Sequence, residues 1–181
     1  MRVISGAKRG ALLFCPETEE IRPTTDRVKE NIFNLIQNEI SGRFVLDLFA
    51  GSGAMGIEAI SRGAKSCIFV DSGDDAISAI KKNLKKTGFG EKSQVIQRDF
   101  SDFLKSFGGK FSLVFLDPPY HSGFISKAVR IMLSENLLSD NAIIVAETDG
   151  DEEPEAEGVK MRTTRKYGRV KVTVFERTGK V

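Results

Sequence analysis

An α/β fold built on a mainly parallel sheet is what the sequence predicts, and three observations predict it. Apolar runs alternate with helical segments from Arg43 onward. Gly51-Ser52-Gly53-Ala54-Met55-Gly56 joins the first run to a helix, and acids stand near the ends of successive runs. Repeated β-α units place their strands in parallel and cover both faces of the sheet.

The elements follow in chain order. Residues 1–14 turn around Gly6 and Gly10 and are expected to form a short hairpin. Arg22-Pro23-Thr24-Thr25 supplies a turn and a cap for a helix over 26–39. Its stripe of Val28, Ile32, Leu35 and Ile36 faces the core, and Arg27, Lys29 and Glu30 are expected on the opposite face. Runs at 44–49, 66–70, 94–97, 111–116 and 142–147 read as five parallel strands. After an acid-rich stretch containing Pro154, runs at 159–163 and 170–175 flank Tyr167-Gly168 as a closing antiparallel hairpin. The sheet therefore has seven strands. The 181 residues suit one domain, with residues 1–41 as an amino-terminal extension of a core at 42–181.

The glycine loop carries the cofactor chemistry. Glycines at these spacings permit a tight turn, close approach of a ligand to the backbone, and close packing of the helix on its strand. Asp71 closes the second run about 20 residues after Gly51, where an acid accepts hydrogen bonds from ribose hydroxyls. Asp47 lies in the first run just ahead of the loop. A carboxylate there suits a cofactor bearing an ammonium and a sulfonium and suits a pyrophosphate poorly, which favours S-adenosylmethionine over NAD.

Asp117-Pro118-Pro119-Tyr120 follows the fourth run. Each proline fixes its own φ near −65°, supplies no N–H and pushes the preceding residue toward extended geometry, so carbonyls can point outward as acceptors. A carboxylate and a carbonyl that accept the two hydrogens of an exocyclic amine favour a localised lone pair on its nitrogen. The Tyr120 ring can stack on the base that carries the amine. The motif serves any planar amine, guanine and adenine alike. Asp47, Asp71, Asp99 and Asp117 are expected to line one cleft outside the carboxyl ends of the strands, with the cofactor on the first three and the substrate beside the fourth.

Charge and composition narrow the classes further. The net charge is +2, and the ends are basic. Arg2, Lys8, Arg9 and Arg22 mark the amino-terminal arm, and Lys160, Arg162, Arg165, Lys166, Arg169 and Lys171 crowd the last segment. Folded onto one face they would form a footprint for phosphates. No apolar run approaches the roughly 20 residues that span a bilayer, and residues 1–14 lack a signal-peptide core, so a cytoplasmic location is expected. Cys15 and Cys67 make no Cys-x-x-Cys pair, and His121 is the single histidine, so free thiols and no metal site are expected.

With these motifs in order, the chain resembles class I S-adenosylmethionine-dependent methyltransferases, through Asp47-Leu48-Phe49-Ala50-Gly51-Ser52-Gly53 and Asp117-Pro118-Pro119-Tyr120. Three further segments narrow the resemblance: Met1-Arg2-Val3-Ile4-Ser5-Gly6, Arg22-Pro23-Thr24-Thr25-Asp26-Arg27-Val28-Lys29-Glu30 and Gly56-Ile57-Glu58-Ala59. They look like the RsmD family of small-subunit (16S) ribosomal RNA guanine-N2 methyltransferases, over essentially the whole chain. The resemblance implies a Rossmann-like fold and S-adenosylmethionine as cofactor. Asp47, Phe49, Gly51, Ser52 and Gly53 would hold its methionine part, Asp71 its ribose, and Asp99 with Phe100 its adenine. The segment around Thr24, Thr25 and Arg27 would close over it. Asp117 and Pro118 would accept hydrogen bonds from the guanine amine, Tyr120 would stack on the base, and Arg2, Lys8, Arg9 and Arg22 would meet ribosomal RNA. A monomer without metal or membrane partner is expected.

The mechanism so implied is direct in-line transfer of a methyl group to the exocyclic amine, with Asp117 or water taking the proton and His121 playing no part as a base. An adenine-N6 DNA methyltransferase is the nearest alternative, but the chain leaves no room for a separate target-recognition domain. An NAD-dependent oxidoreductase and a non-catalytic RNA-binding assembly factor are the others.

Overall fold

The computed structural model describes residues 1–16, 26–151 and 156–177. A seven-stranded sheet runs through it in the order β3-β2-β1-β4-β5-β7-β6. The strands are β1 (Phe44–Leu48), β2 (Ser66–Asp71), β3 (Ser93–Gln97), β4 (Phe111–Leu116), β5 (Leu138–Asp149), β6 (Val159–Tyr167) and β7 (Val170–Arg177). The first five are parallel; β7 pairs antiparallel with both β5 and β6. From β1 the chain winds outward through β2 to β3, then returns to place β4 on the other side of β1. Strand order thus reverses between β1 and β4, and a crevice opens outside their carboxyl ends.

Alternation along the strands splits the core into two layers. Val45, Phe69, Phe115 and Val145 face one side, and Leu46, Leu48, Val114 and Ala146 face the other. Helices α1 (Asp26–Leu35), α2 (Ala54–Ser61) and α3 (Asp74–Thr87) supply Ile32, Ile57 and Ile80 to the first layer. Helices α4 (Phe100–Ser106) and α5 (Phe124–Ser134) supply Leu104 and Val129 to the second. Both sheet faces are covered, which explains the nearly unbroken apolar reading of the central strands. Among the described residues no helix is long and apolar enough to cross a membrane.

The glycines of the first loop divide their work. Gly51 (φ 54°) and Gly53 (φ 75°) adopt the left-handed region that turns β1 into α2. Gly56 lets α2 lie against β2: a Cβ there would fall 2.4 Å from the Phe69 ring and 2.6 Å from the Cys67 sulfur.

The amino-terminal residues form a hairpin-like excursion with a single bridge between Arg2 and Leu12. The Val3 N–H donates to Ala11 O at 2.9 Å and the Leu13 N–H to Met1 O at 2.9 Å. The turn is fastened to the carboxyl-terminal end of α2, where Ser61 O and Oγ accept from the N–H groups of Ala7 (2.8 Å) and Lys8 (3.0 Å). Gly6 (φ 84°) is required at this contact, because a Cβ would stand 1.8 Å from Ser61 O.

Three expectations change. The helix expected over 26–39 stops at Leu35 and continues as a 3₁₀ turn at Gln37–Glu39. Lys29, expected on the solvent face, has its side chain fully buried. Its ammonium donates to Arg2 O at 2.5 Å and lies 3.5 Å from the Glu58 carboxylate, while burial pulls its pKa down against the pull of Glu58. Residues 28, 29, 32 and 33 form the buried stripe, so the amino-terminal excursion covers a face that a helix wheel alone assigns to water. The carboxyl-terminal cations likewise do not gather into one open patch: Arg162 pairs with Glu39 and Glu176, Lys166 lies 3.6 Å from Asp151, and Lys171 is buried.

Candidate active site

A cavity of about 740 Å³ opens outside the carboxyl ends of β1, β2 and β4, within the roughly 300–1,000 Å³ of small-ligand sites. Asp47, Asp71, Asp99 and Asp117 all line it, as do the Gly51 loop and the Pro118-Pro119-Tyr120 segment. The four acids therefore meet, as their positions in the sequence suggest.

Each acid is held differently. Asp47 is 3% exposed, and its Oδ2 accepts the Gly56 N–H at 2.8 Å. Gly56 is the third residue of α2, so the carboxyl group satisfies one of the N–H donors that a helix start leaves unpaired. Burial pushes the Asp47 carboxyl up to about 8; the Gly56 N–H opposes the shift, and the charges of Asp117 and Asp71 add to it.

Asp71 ends β2 and spans the glycine loop. Its Oδ2 accepts from the Gly51 N–H at 2.8 Å and its Oδ1 from the Gly73 N–H at 2.9 Å. Asp99 caps α4, with Oδ1 accepting from the N–H groups of Ser101 (2.8 Å) and Asp102 (3.2 Å). Phe100 follows as the first residue of α4, where a backbone N–H has no partner within the helix. A carboxylate acceptor thus stands beside an N–H donor.

Aromatic rings form the wall between these groups and the Asp117 loop. Phe49 takes a left-handed φ of 66°, a conformation uncommon for a bulky residue, which the surrounding contacts enforce. Its ring stacks on Phe124 with centroids 6.0 Å apart and tilts against Phe100 at 4.9 Å. Phe100 and Phe124 also touch, at 4.9 Å.

Asp117 follows β4 directly, half-buried, with Pro118 buried and Pro119 exposed. The Tyr120 hydroxyl lies 3.4 Å from Oε1 of Glu147, which is 7% exposed near the end of β5. His121 points outward, 65% exposed and 3.7 Å from Asp149.

Other expected site residues lie elsewhere. Arg22, Thr24 and Thr25 fall outside the described residues. Arg27 is exposed on α1 and does not line the cavity. Arg2 is exposed and pairs with Asp26 at 3.4 Å. Lys8 and Arg9 are exposed where the amino-terminal turn meets the far end of α2, roughly 12 Å along an eight-residue helix from its cavity end. The sequence reading missed Phe124 and Glu147 as lining residues, and Met1 and Cys15, which the paired ends of the excursion bring to the cavity. Cys15 and Cys67 are free thiols, and burial pushes the Cys67 thiol up.

A family model described as conserved hypothetical protein 95 matches residues 1–176. The chain belongs to this family. Two relatives carry the same architecture of sequence along most of their length. YlbH from Bacillus subtilis (strain 168) is 40% identical over 184 residues, 99% of this chain and 100% of that protein. Ribosomal RNA small subunit methyltransferase D from Haemophilus influenzae is 40% identical over 154 residues, 83% of this chain and 80% of that one. Among solved structures, yhhF from Escherichia coli superposes with a TM-score of 0.88 at 30% identity, covering 99% of each chain. SMU.776, solved complexed with SAH, is 17% identical with a TM-score of 0.67 over 83% of this chain and 48% of that one, a likeness of fold alone. The fold of the family is thus the class I methyltransferase fold, including the antiparallel hairpin at its end.

Proposed function

We propose that the protein is an S-adenosylmethionine-dependent methyltransferase that modifies the exocyclic N2 amine of a guanine in small-subunit ribosomal RNA. One observation carries the reading: the buried Asp47 carboxyl and the Asp117-Pro118-Pro119-Tyr120 loop share one cavity at the point where strand order reverses. The name of the 40% identical Haemophilus relative supports ribosomal RNA as the substrate, in preference to DNA adenine. It likewise weighs against a hydride-transfer enzyme.

The residues present fit S-adenosylmethionine. Asp47 meets the cationic amino acid portion, which restores the charged form that burial disfavours. Asp71 faces the ribose hydroxyls from a carboxylate fixed by two backbone amides. Asp99 and the Phe100 N–H match the amine and the neighbouring ring nitrogen of adenine, and Phe49 and Phe100 offer it apolar faces. Gly51 and Ser52 bring the backbone close to the methionine part, with Gly53 turning the chain into α2. When bound, the cofactor supplies an electrophilic methyl group.

The protein's own part is to hold the amine. Asp117 and the Pro118 carbonyl accept its two hydrogens, orienting the nitrogen lone pair, and Tyr120 stacks on the base. Holding two reactants near attack geometry is worth roughly 7 to 11 kcal/mol. Acceptors placed in advance add electrostatic stabilisation as the nitrogen becomes positive, and Asp117 or water removes the proton. The target base leaves its stack to enter, at a cost of a few kcal/mol, so an unpaired or easily extruded guanine is the substrate.

Asp117→Ala tests the assignment. The variant should bind S-adenosylmethionine nearly as the parent does, measured calorimetrically, while transfer of labelled methyl to small ribosomal subunits falls at least ~1,000-fold. Full transfer by the variant contradicts it.

A further inference from the structure

The Asp-Pro-Pro-Tyr loop accommodates the amine of guanine or adenine equally; a second acid in the cavity distinguishes them. We propose that Glu147 is the residue that selects guanine, its carboxylate accepting the N1–H of the base while Asp117 and Pro118 hold the N2 amine. The inference rests on the functional reading above.

Strand geometry places the two acids side by side. Leu116, the last residue of β4, pairs in parallel register with Ala146 on β5; Glu147 comes next within β5 and Asp117 comes next just past the end of β4, where neighbouring strands lie about 5 Å apart. Phe115 and Val145 share one sheet face and Leu116 and Ala146 the other. Alternation along β5 returns Glu147 to the first face, opposite Val172 of β7, and Asp117 leaves β4 at the same end of the sheet. Both line the cavity, and Glu147 is 7% exposed there. The Tyr120 hydroxyl, 3.4 Å from Oε1, ties Glu147 to the ring that stacks on the base.

The chemistry of the two bases then decides. Guanine presents adjacent donors, N1–H and the N2 amine, to two adjacent acceptors. Adenine presents a donor amine beside N1, which is itself an acceptor. Against Glu147 that atom would face a carboxylate with no proton between them, and a buried acceptor left unmatched is costly. Sites built to meet a particular hydrogen-bonding group reject analogues lacking it far more strongly than shape alone permits.

The test uses small subunits reconstituted with either guanosine or 2,6-diaminopurine riboside at the mapped target position. The analogue keeps the N2 amine and lacks the N1–H. The parent protein should transfer methyl to the guanosine subunits with a kcat/KM at least ~100-fold above that for the analogue. Glu147→Gln, whose amide can either accept or donate, should shrink that ratio to below ~10 with unchanged S-adenosylmethionine affinity. If Glu147 only braced Tyr120, Glu147→Gln and Tyr120→Phe would slow both substrates alike and leave the ratio intact, which overturns the proposal. Equal use of both substrates by the parent overturns it without any variant. Failure of the parent to methylate even guanosine subunits overturns the functional reading together with it.

Discussion

Asp47 is a side chain whose burial costs stability, and the proposed function gives that cost a purpose, the binding of a cationic cofactor. In the folded chain its carboxyl is pushed up to about 8, against an ordinary value of 3.8. Between these values the folded state holds a proton that the unfolded chain has lost, so stability falls as pH rises from about 4 to about 8 and then levels. Asp47→Asn removes that slope. At pH 8 the variant should be more stable by about 1–2 kcal/mol, read as a melting temperature higher by roughly 2–8 °C, with S-adenosylmethionine affinity at least ~10-fold weaker. An unchanged melting temperature together with unchanged affinity contradicts the role given to Asp47. Much of this was legible: an acid in a central strand just before a glycine loop signals a ligand. What no sequence spacing gives is the Gly56 N–H that holds it, or the strained Phe49 that carries its ring into the aromatic wall.

At the level of elements, α2 joins the cavity to the amino-terminal excursion. Its first turn holds Asp47, and its last turn carries Glu58, whose carboxylate accepts the N–H groups of Ile4 (2.7 Å) and Ser5 (3.0 Å) and pairs with Arg62 and buried Lys29. Glu58→Gln leaves the Lys29 ammonium buried opposite a neutral group, and removing one partner of a buried pair costs about 3–5 kcal/mol. A fall in melting temperature of 6 °C or more is expected on the scale of about 2–4 °C per kcal/mol. A fall under ~1 °C would show that the excursion is held by other contacts. The strands, the glycine loop and the closing hairpin were readable because their apolar runs and turn residues act locally. The Glu58–Lys29 pair was not, because it depends on a segment far away in sequence covering a helix face. That Glu147 lines the same cavity as Asp117 was hidden for a similar reason: it follows from the register of β5 on β4, whereas the sequence shows only an acid among others in an acidic stretch.

Across the whole molecule, the proposed catalytic groups and the exposed cations Lys8 and Arg9 lie toward opposite ends of α2. The cavity lies outside the carboxyl ends of the strands, whereas Lys8 and Arg9 project near the far end of α2. If both regions meet one RNA, that RNA extends well beyond the modified base, as suits a structured ribosomal particle recognised by shape and phosphates. Lys8→Ala with Arg9→Ala should then lower the slope of log affinity against log salt by about 1–2 without altering cofactor binding. An unchanged slope removes these residues from the RNA surface. The central claim is tested most directly by incubating the protein with labelled S-adenosylmethionine and small ribosomal subunits from cells that lack it, then identifying the labelled nucleoside and its position. A single N2-methylguanosine at one position is expected. Label on adenosine, or subunits left unlabelled while DNA is methylated, would contradict it.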